Sequence, residues 1–133
     1  HTIYLNVEPE FQCIERFLRT NSAGRILVPA GSCRDMFLYI REGMLEEAQA
    51  FLDLRLKGRA QVLPSTELIS KGLFGPGPAS EAFNMHVGDL VILPNYGEAV
   101  WWYERGKFEQ TLFGGHGGLT SQEMMIPFLA RPY

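Results

Sequence analysis

One histidine in this chain stands between two pairs of glycines. The run is Gly114-Gly115-His116-Gly117-Gly118, followed by Leu119-Thr120-Ser121-Gln122-Glu123 and an apolar tail, Met124-Met125-Ile126-Pro127-Phe128-Leu129. Glycine has no side chain and reaches backbone angles closed to other residues. Four of them around one imidazole allow other groups to come very close to it. That setting suits a metal ligand, or a residue beside a phosphate, better than a packing residue. Thr120-x-x-Glu123 reads as a capping box for a short helix. Gly117 and Gly118 then lie where free backbone N–H groups meet the positive end of that helix, an arrangement that accepts anions. A phosphate group has three candidate holders: Gly117, Gly118 and, from Ser32-Cys33-Arg34-Asp35, the guanidinium of Arg34. A hairpin turn accounts for the Arg34 segment equally well. No Gly-Lys-Ser/Thr follows the glycines, so the loop is not a P-loop.

A catalytic zinc site takes about three protein ligands, and few partners for His116 are legible. His86 is the one other internal histidine, between a short helix and a Gly-Asp turn. Asp35, Asp89 and Glu98 fall near expected strand ends, where turn or solvated roles suit carboxylates better than ligation. Cys13 and Cys33 form no CxxC or zinc-ribbon spacing, fit reduced thiols, and do not imply a disulfide. No histidine neighbours Cys33 in sequence, so a thiol nucleophile has no support. Trp101-Trp102-Tyr103 offers a stacking platform or a core strand. Alternation along a strand leaves at most one face of it free, which favours the core.

The elements that must position these residues read as α+β. Residues 10–18 carry Phe11, Ile14, Phe17 and Leu18 at helical spacing behind Pro9. Residues 25–29 and 35–40 read as strands, apolar enough for burial on both faces, around a turn at 30–32. Residues 44–57 are the clearest helix, with Met44, Ala48, Phe51, Leu52 and Leu56 on one face and Gly58 to end it. A strand at 61–63, a helix from Ser65 to a stop at Gly72, a Gly-Pro loop at 75–78 and a helix at 79–85 follow. Strands at 89–93, 99–104 and 107–111 then form a three-stranded meander that delivers His116 at a strand end. The tail after Glu123 reads as a last apolar strand. The expectation is a mixed β-sheet with packed helices and this C-terminal meander.

Composition narrows the function classes. The chain has 133 residues, enough to bury a core, with 46% apolar and 20% charged residues. Its net charge of −3 argues against a nucleic-acid surface or an anionic membrane. No apolar run is long enough for a membrane span. With the two thiols this points to a cytoplasmic protein. A first residue other than Met suggests a processed, tagged or excised product.

The segment from His116 to Leu129 resembles the C-terminal signature of the alkaline phosphatase superfamily. The nearest branches are the type I phosphodiesterase/nucleotide pyrophosphatase enzymes and their PglZ-like relatives, whose last metal-binding histidine sits in His-Gly-Gly-Leu-(Ser/Thr)-x-x-Glu-Met-x-x-Pro-Leu. Val87-Gly88-Asp89-Leu90-Val91-Ile92-Leu93 is similar to the Gly-Asp-Leu-Val strand before that histidine, and a weaker likeness reaches back to Glu67 and Gly72-Leu73-Phe74-Gly75. The resemblance implies that the chain is part of a larger alkaline-phosphatase-like α/β fold. It implies two divalent ions, zinc or alternatively manganese, and hydrolysis of phosphomonoesters, phosphodiesters or nucleotide pyrophosphates. Only His116, as one metal ligand, carries over. The family's nucleophile, metal-binding aspartates and Asp-His-Gly motif lie upstream of the matched region and have no counterpart here. His1 is either a tag remnant or the edge of such a motif. The expectation is therefore a C-terminal portion of a phosphoesterase, inactive alone. Residues 1–78 would be a cap-like region and residues 79–133 the meander and terminal segment. Its partners would be the rest of the parent chain and a phosphate-ester small molecule. Two other readings stand beside it. One is a non-enzymatic interaction module using the Trp-rich meander; the other is a small metal hydrolase using His116, His86 and a carboxylate.

Overall fold

The computed structural model describes residues 1–111 and 113–131. At its centre is a four-stranded antiparallel sheet in the order β2-β3-β5-β4, formed by β2 (Ala30–Ser32), β3 (Asp35–Leu38), β4 (Ala60–Pro64) and β5 (Leu90–Pro94). The β5 sequence, Leu-Val-Ile-Leu-Pro, is buried at every position, as a strand covered on both faces must be. Alternation sorts its side chains. Leu90 and Ile92 join Met36, Leu38 and Val62 in the main core, together with Ala48, Leu52 and Leu56 of the α1 (Leu45–Arg55) region. Val91 and Leu93 point the other way and pack with Phe37 and with Leu68 of α2 (Ser65–Ser70). The sheet is thus one layer between two helical ones, and strands from residues 1–78 and from residues 79–133 share it.

Helix α1 forms where the 3.6-residue spacing predicts it and ends before Gly58, whose φ of +77° is the left-handed angle a helix stop requires. Helix α2 also ends short of a left-handed glycine, Gly72. Helix α3 (Glu81–His86) starts at Ser80, whose hydroxyl accepts the Phe83 N–H at 3.1 Å. No helix among the described residues is long and apolar enough to cross a membrane.

Four expectations fail. Residues 10–18 are two 3₁₀ turns, Pro9–Phe11 and Ile14–Phe17, because Cys13 between them sits at φ +77°. Phe11, Ile14, Phe17 and Leu18 are still buried, so the apolar pattern marked core residues but not their backbone path. The strand expected at 25–29 lies instead at β2, in the residues read as a turn. Pro29 has no N–H for a ladder. Ile26 makes only an isolated bridge to Thr20, and the two-residue turn of the hairpin is Cys33-Arg34.

The C-terminal meander is absent among the described residues. Both edges of β5 are taken by β3 and β4, so β6 (Ala99–Trp101) turns away and pairs in parallel with β1 (Thr2–Tyr4). Residues 107–111 form no strand beyond a Glu104–Phe108 bridge, and Leu112 lies outside the described residues. An irregular segment therefore delivers His116. The apolar tail is not a strand either: Ile126, Phe128 and Leu129 are 79%, 86% and 96% exposed.

Candidate functional site

The His116 loop rests on the β2–β3 turn. Within the turn, Asp35 accepts the Ser32 N–H at 3.0 Å and the Ser32 hydroxyl, and Ser32 Oγ accepts the Arg34 N–H at 3.1 Å. These bonds fix Arg34 at the apex, and its side chain is almost wholly buried. Its guanidinium forms a fork on Glu123, with Nε and Nη2 each 2.8 Å from a carboxylate oxygen. Nη1 donates to the carbonyls of Asn95, at 3.0 Å, and Glu98. Such bidentate, charge-assisted pairs are directional as well as strong.

Glu123 belongs to α4 (Ser121–Met124) and completes the network. It accepts the Gly118 N–H at 3.2 Å and the Thr120 hydroxyl at 2.7 Å. Its carboxyl is held down to about 2, chiefly by the Arg34 hydrogen bonds and secondarily by Thr120 and Gly118, with burial opposing. The Arg34 pKa is raised, first by its hydrogen bond to Glu123. Both shifts favour the ionised pair. The capping box is altered. Thr120 gives its hydroxyl to the carboxylate, while the Glu123 N–H bonds the Thr120 carbonyl at 3.0 Å. The anion at the Gly118 N–H is thus the protein's own Glu123, and four Arg34 N–H groups are on protein acceptors.

The glycines prove to have separate tasks. A Cβ on Gly115 would run into the Cys33 sulfur, and one on Gly118 would lie 2.5 Å from a Glu123 oxygen. Gly117 takes φ +109°, whereas Gly114 faces open space. The close approaches they permit are to Cys33 and Glu123, not to the imidazole.

His116 itself is exposed, and its carbonyl lies 3.3 Å from the Ser32 hydroxyl as the longer arm of a bond shared with Asp35. Its ring makes no hydrogen bond among the described residues, leaving both ring nitrogens available. The other candidates lie apart from it in function. His86 is exposed, and its carbonyl accepts the Tyr39 hydroxyl at 2.9 Å. Asp89 binds Arg19 and the Ile40 N–H, Glu98 binds Arg59, and Asp35 binds Ser32. Among the described residues no three His, Cys, Asp or Glu side chains group as a metal site requires. The cluster that a self-contained metal hydrolase needs is therefore not formed by them.

A cavity of about 440 Å³ flanks the loop, with Cys33, Arg34, Tyr96, Phe113 and Glu123 in its lining. Trp102 is buried, and Trp101 donates its indole N–H to the Phe108 carbonyl at 2.8 Å, so both tryptophans serve packing. The sequence marked Arg34 and Glu123 separately. Nothing local pairs two residues 89 apart. An arginine in a tight turn beside apolar strands was the one available signal. No protein-family model, curated protein or solved structure matches this chain.

Proposed function

We propose that the chain is the C-terminal part of a two-metal phosphoesterase and supplies one metal ligand, His116. The observation that carries this reading is a contrast within one loop. The loop backbone is held by Cys33 against Gly115 before His116 and by the Arg34–Glu123 pair at the Gly118 N–H after it, while the imidazole is exposed and without a partner among the described residues. A packing histidine would be buried and hydrogen-bonded. A ligand needs a fixed backbone and an available ring nitrogen. The residues present fit one ligand of a divalent ion, zinc or manganese, and the remaining ligands would come from the parent chain. Two such ions, when bound, stabilise the entering and leaving oxygens of a phosphate ester. Arg34 holds the loop rather than the substrate, since binding a phosphate would require displacing Glu123. The two free cysteines support a reducing, cytoplasmic setting.

The apolar tail supports the parent-chain partner. Contiguous exposed apolar surface of this kind marks an interface, and a neighbouring sheet would cover it. The same tail favours the second reading, a non-enzymatic interaction module, now resting on residues 124–129 rather than on the tryptophans.

The product of the whole reading frame separates the two. On the first reading it carries two divalent ions per chain by elemental analysis and hydrolyses bis(p-nitrophenyl) phosphate. His116→Ala then loses one ion and, on the order of ligand-shell losses, 100-fold or more in turnover. The 133-residue chain alone turns over none. A His116→Ala product with both ions and full turnover refutes the assignment, and a metal-indifferent product favours the module.

A further inference from the structure

We propose that the β2–β3 turn, with Arg34 at its apex, is the positioning device of His116; this rests on the reading of His116 as a metal ligand. Three consecutive turn residues each grip the loop backbone at a different point. Cys33 packs its sulfur where Gly115 lacks a Cβ. Ser32 shares its one hydroxyl proton between Asp35 and, at 3.3 Å, the His116 carbonyl. Arg34 holds Glu123 through two bonds of 2.8 Å, and Glu123 in turn holds the Gly118 N–H at 3.2 Å. The grips fall before, at and after His116, and in none of them does the imidazole take part.

Simple anchorage does not call for this chemistry. Replacing a buried ion pair by apolar side chains of similar volume is often neutral or stabilising. A guanidinium–carboxylate fork adds what an apolar pair lacks, a fixed mutual orientation. It also presents a carboxylate to the Gly118 N–H. Glycine-flanked backbone is the most costly to order. A chain that orders it beneath an exposed imidazole fixes the Cα–Cβ direction of His116, the point from which that side chain reaches out. Arg34 therefore acts on His116 through Glu123 and Gly118, as a positioning residue.

Two variants test the device at its two ends. Arg34→Lys keeps the charge and loses the fork. Glu123→Gln keeps the shape and leaves Arg34 its contacts to Asn95 and Glu98. The first readout is the backbone order of residues 115–118 by ¹⁵N relaxation in this chain, with β5 as the internal control. The wild-type order parameter at His116 is expected near the rigid value of about 0.85, falling below about 0.6 in either variant while β5 is unchanged. The second readout is zinc affinity in the product of the whole reading frame, expected to weaken roughly 10–100-fold in Arg34→Lys. Order at 115–118 that survives both substitutions overturns the positioning role. So does order that falls with no change in zinc affinity. Zinc binding that is untouched by His116→Ala refutes the metal reading itself, and the positioning role with it.

Discussion

Arg34→Met and Glu123→Gln break the same ion pair, yet the contacts on its two sides make their costs unequal. Arg34 connects three parts of the chain: the β2–β3 turn, the carbonyls of Asn95 and Glu98 beyond β5, and Glu123. Its replacement by Met releases all of them and leaves Glu123, only 16% exposed, without its cation. Removing one partner of a buried pair typically costs about 3–5 kcal/mol. Glu123→Gln also leaves the buried Arg34 charge without its counter-ion, but it keeps the two carbonyl acceptors of Arg34 and one acceptor oxygen for Gly118 or Thr120, so its loss is smaller, about 1.5–3 kcal/mol. Because the pair acts as one unit, the double variant is expected to cost no more than Arg34→Met alone. Urea unfolding followed by tryptophan fluorescence reads all three variants, since Trp102 is buried and Trp101 packs against the core. A Glu123→Gln loss equal to or larger than that of Arg34→Met refutes the claim that Arg34 is the hub. A loss below about 1 kcal/mol for Arg34→Met refutes the claim that the pair anchors the loop at all.

Acid should dissolve the same contact. The Glu123 carboxyl lies at about 2 in the folded chain against an ordinary 4.5. Its depressed value stabilises the fold above pH 4.5 and the contribution disappears as pH falls towards 2, about 3 kcal/mol in all. The stability gap between wild type and Glu123→Gln should close over that window, and a pH-independent gap rules the linkage out. Gly115→Ala should cost about 1–3 kcal/mol through overlap with the Cys33 sulfur. Cys33→Ala in the same chain should restore at least half of that in a thermal melt, whereas no restoration would place the strain elsewhere. On α1, Leu52→Ala, at a position 1% exposed, should lose about 2–5 kcal/mol. Leu54→Ala, 71% exposed, should stay within about 0.5 kcal/mol; similar losses at both would contradict the helix face assigned.

What the sequence disclosed was what short-range chemistry determines. Helix α1 follows from side-chain spacing and a left-handed glycine, both local, and the strands β4 and β5 follow from apolar runs between turn residues. Burial was legible even where geometry was not. Phe11, Ile14 and Phe17 are core residues whether a helix or two 3₁₀ turns carry them, and only the left-handed Cys13, unusual for a non-glycine, decides between the two. Pairing was the illegible part. Nothing in residues 99–101 reveals that their partner is the first strand rather than their neighbour. That outcome depends on β5 having both edges occupied, a property of the whole sheet. The site shows the same division. The glycine-flanked histidine and the Thr-x-x-Glu were visible as motifs, while the arginine that organises them comes from the other end of the chain.

The exposed apolar tail and the His116 loop are connected by this arrangement. Glu123 holds α4 to the β2–β3 turn, Met124 and Met125 still donate their N–H groups to Thr120 and Ser121, and the exposed residues 126–129 leave from that helix. The Arg34–Glu123 pair therefore fixes two things together: the backbone that carries the imidazole and the point from which the tail departs. The tail begins eight residues after His116 along the chain. On the parent-chain proposal, the element that buries Ile126, Phe128 and Leu129 and the residues that complete the His116 site belong to one partner. Metal binding and tail burial would then be coupled through one ion pair. Loss of that pair would weaken both, which distinguishes a shared anchor from two independent surfaces.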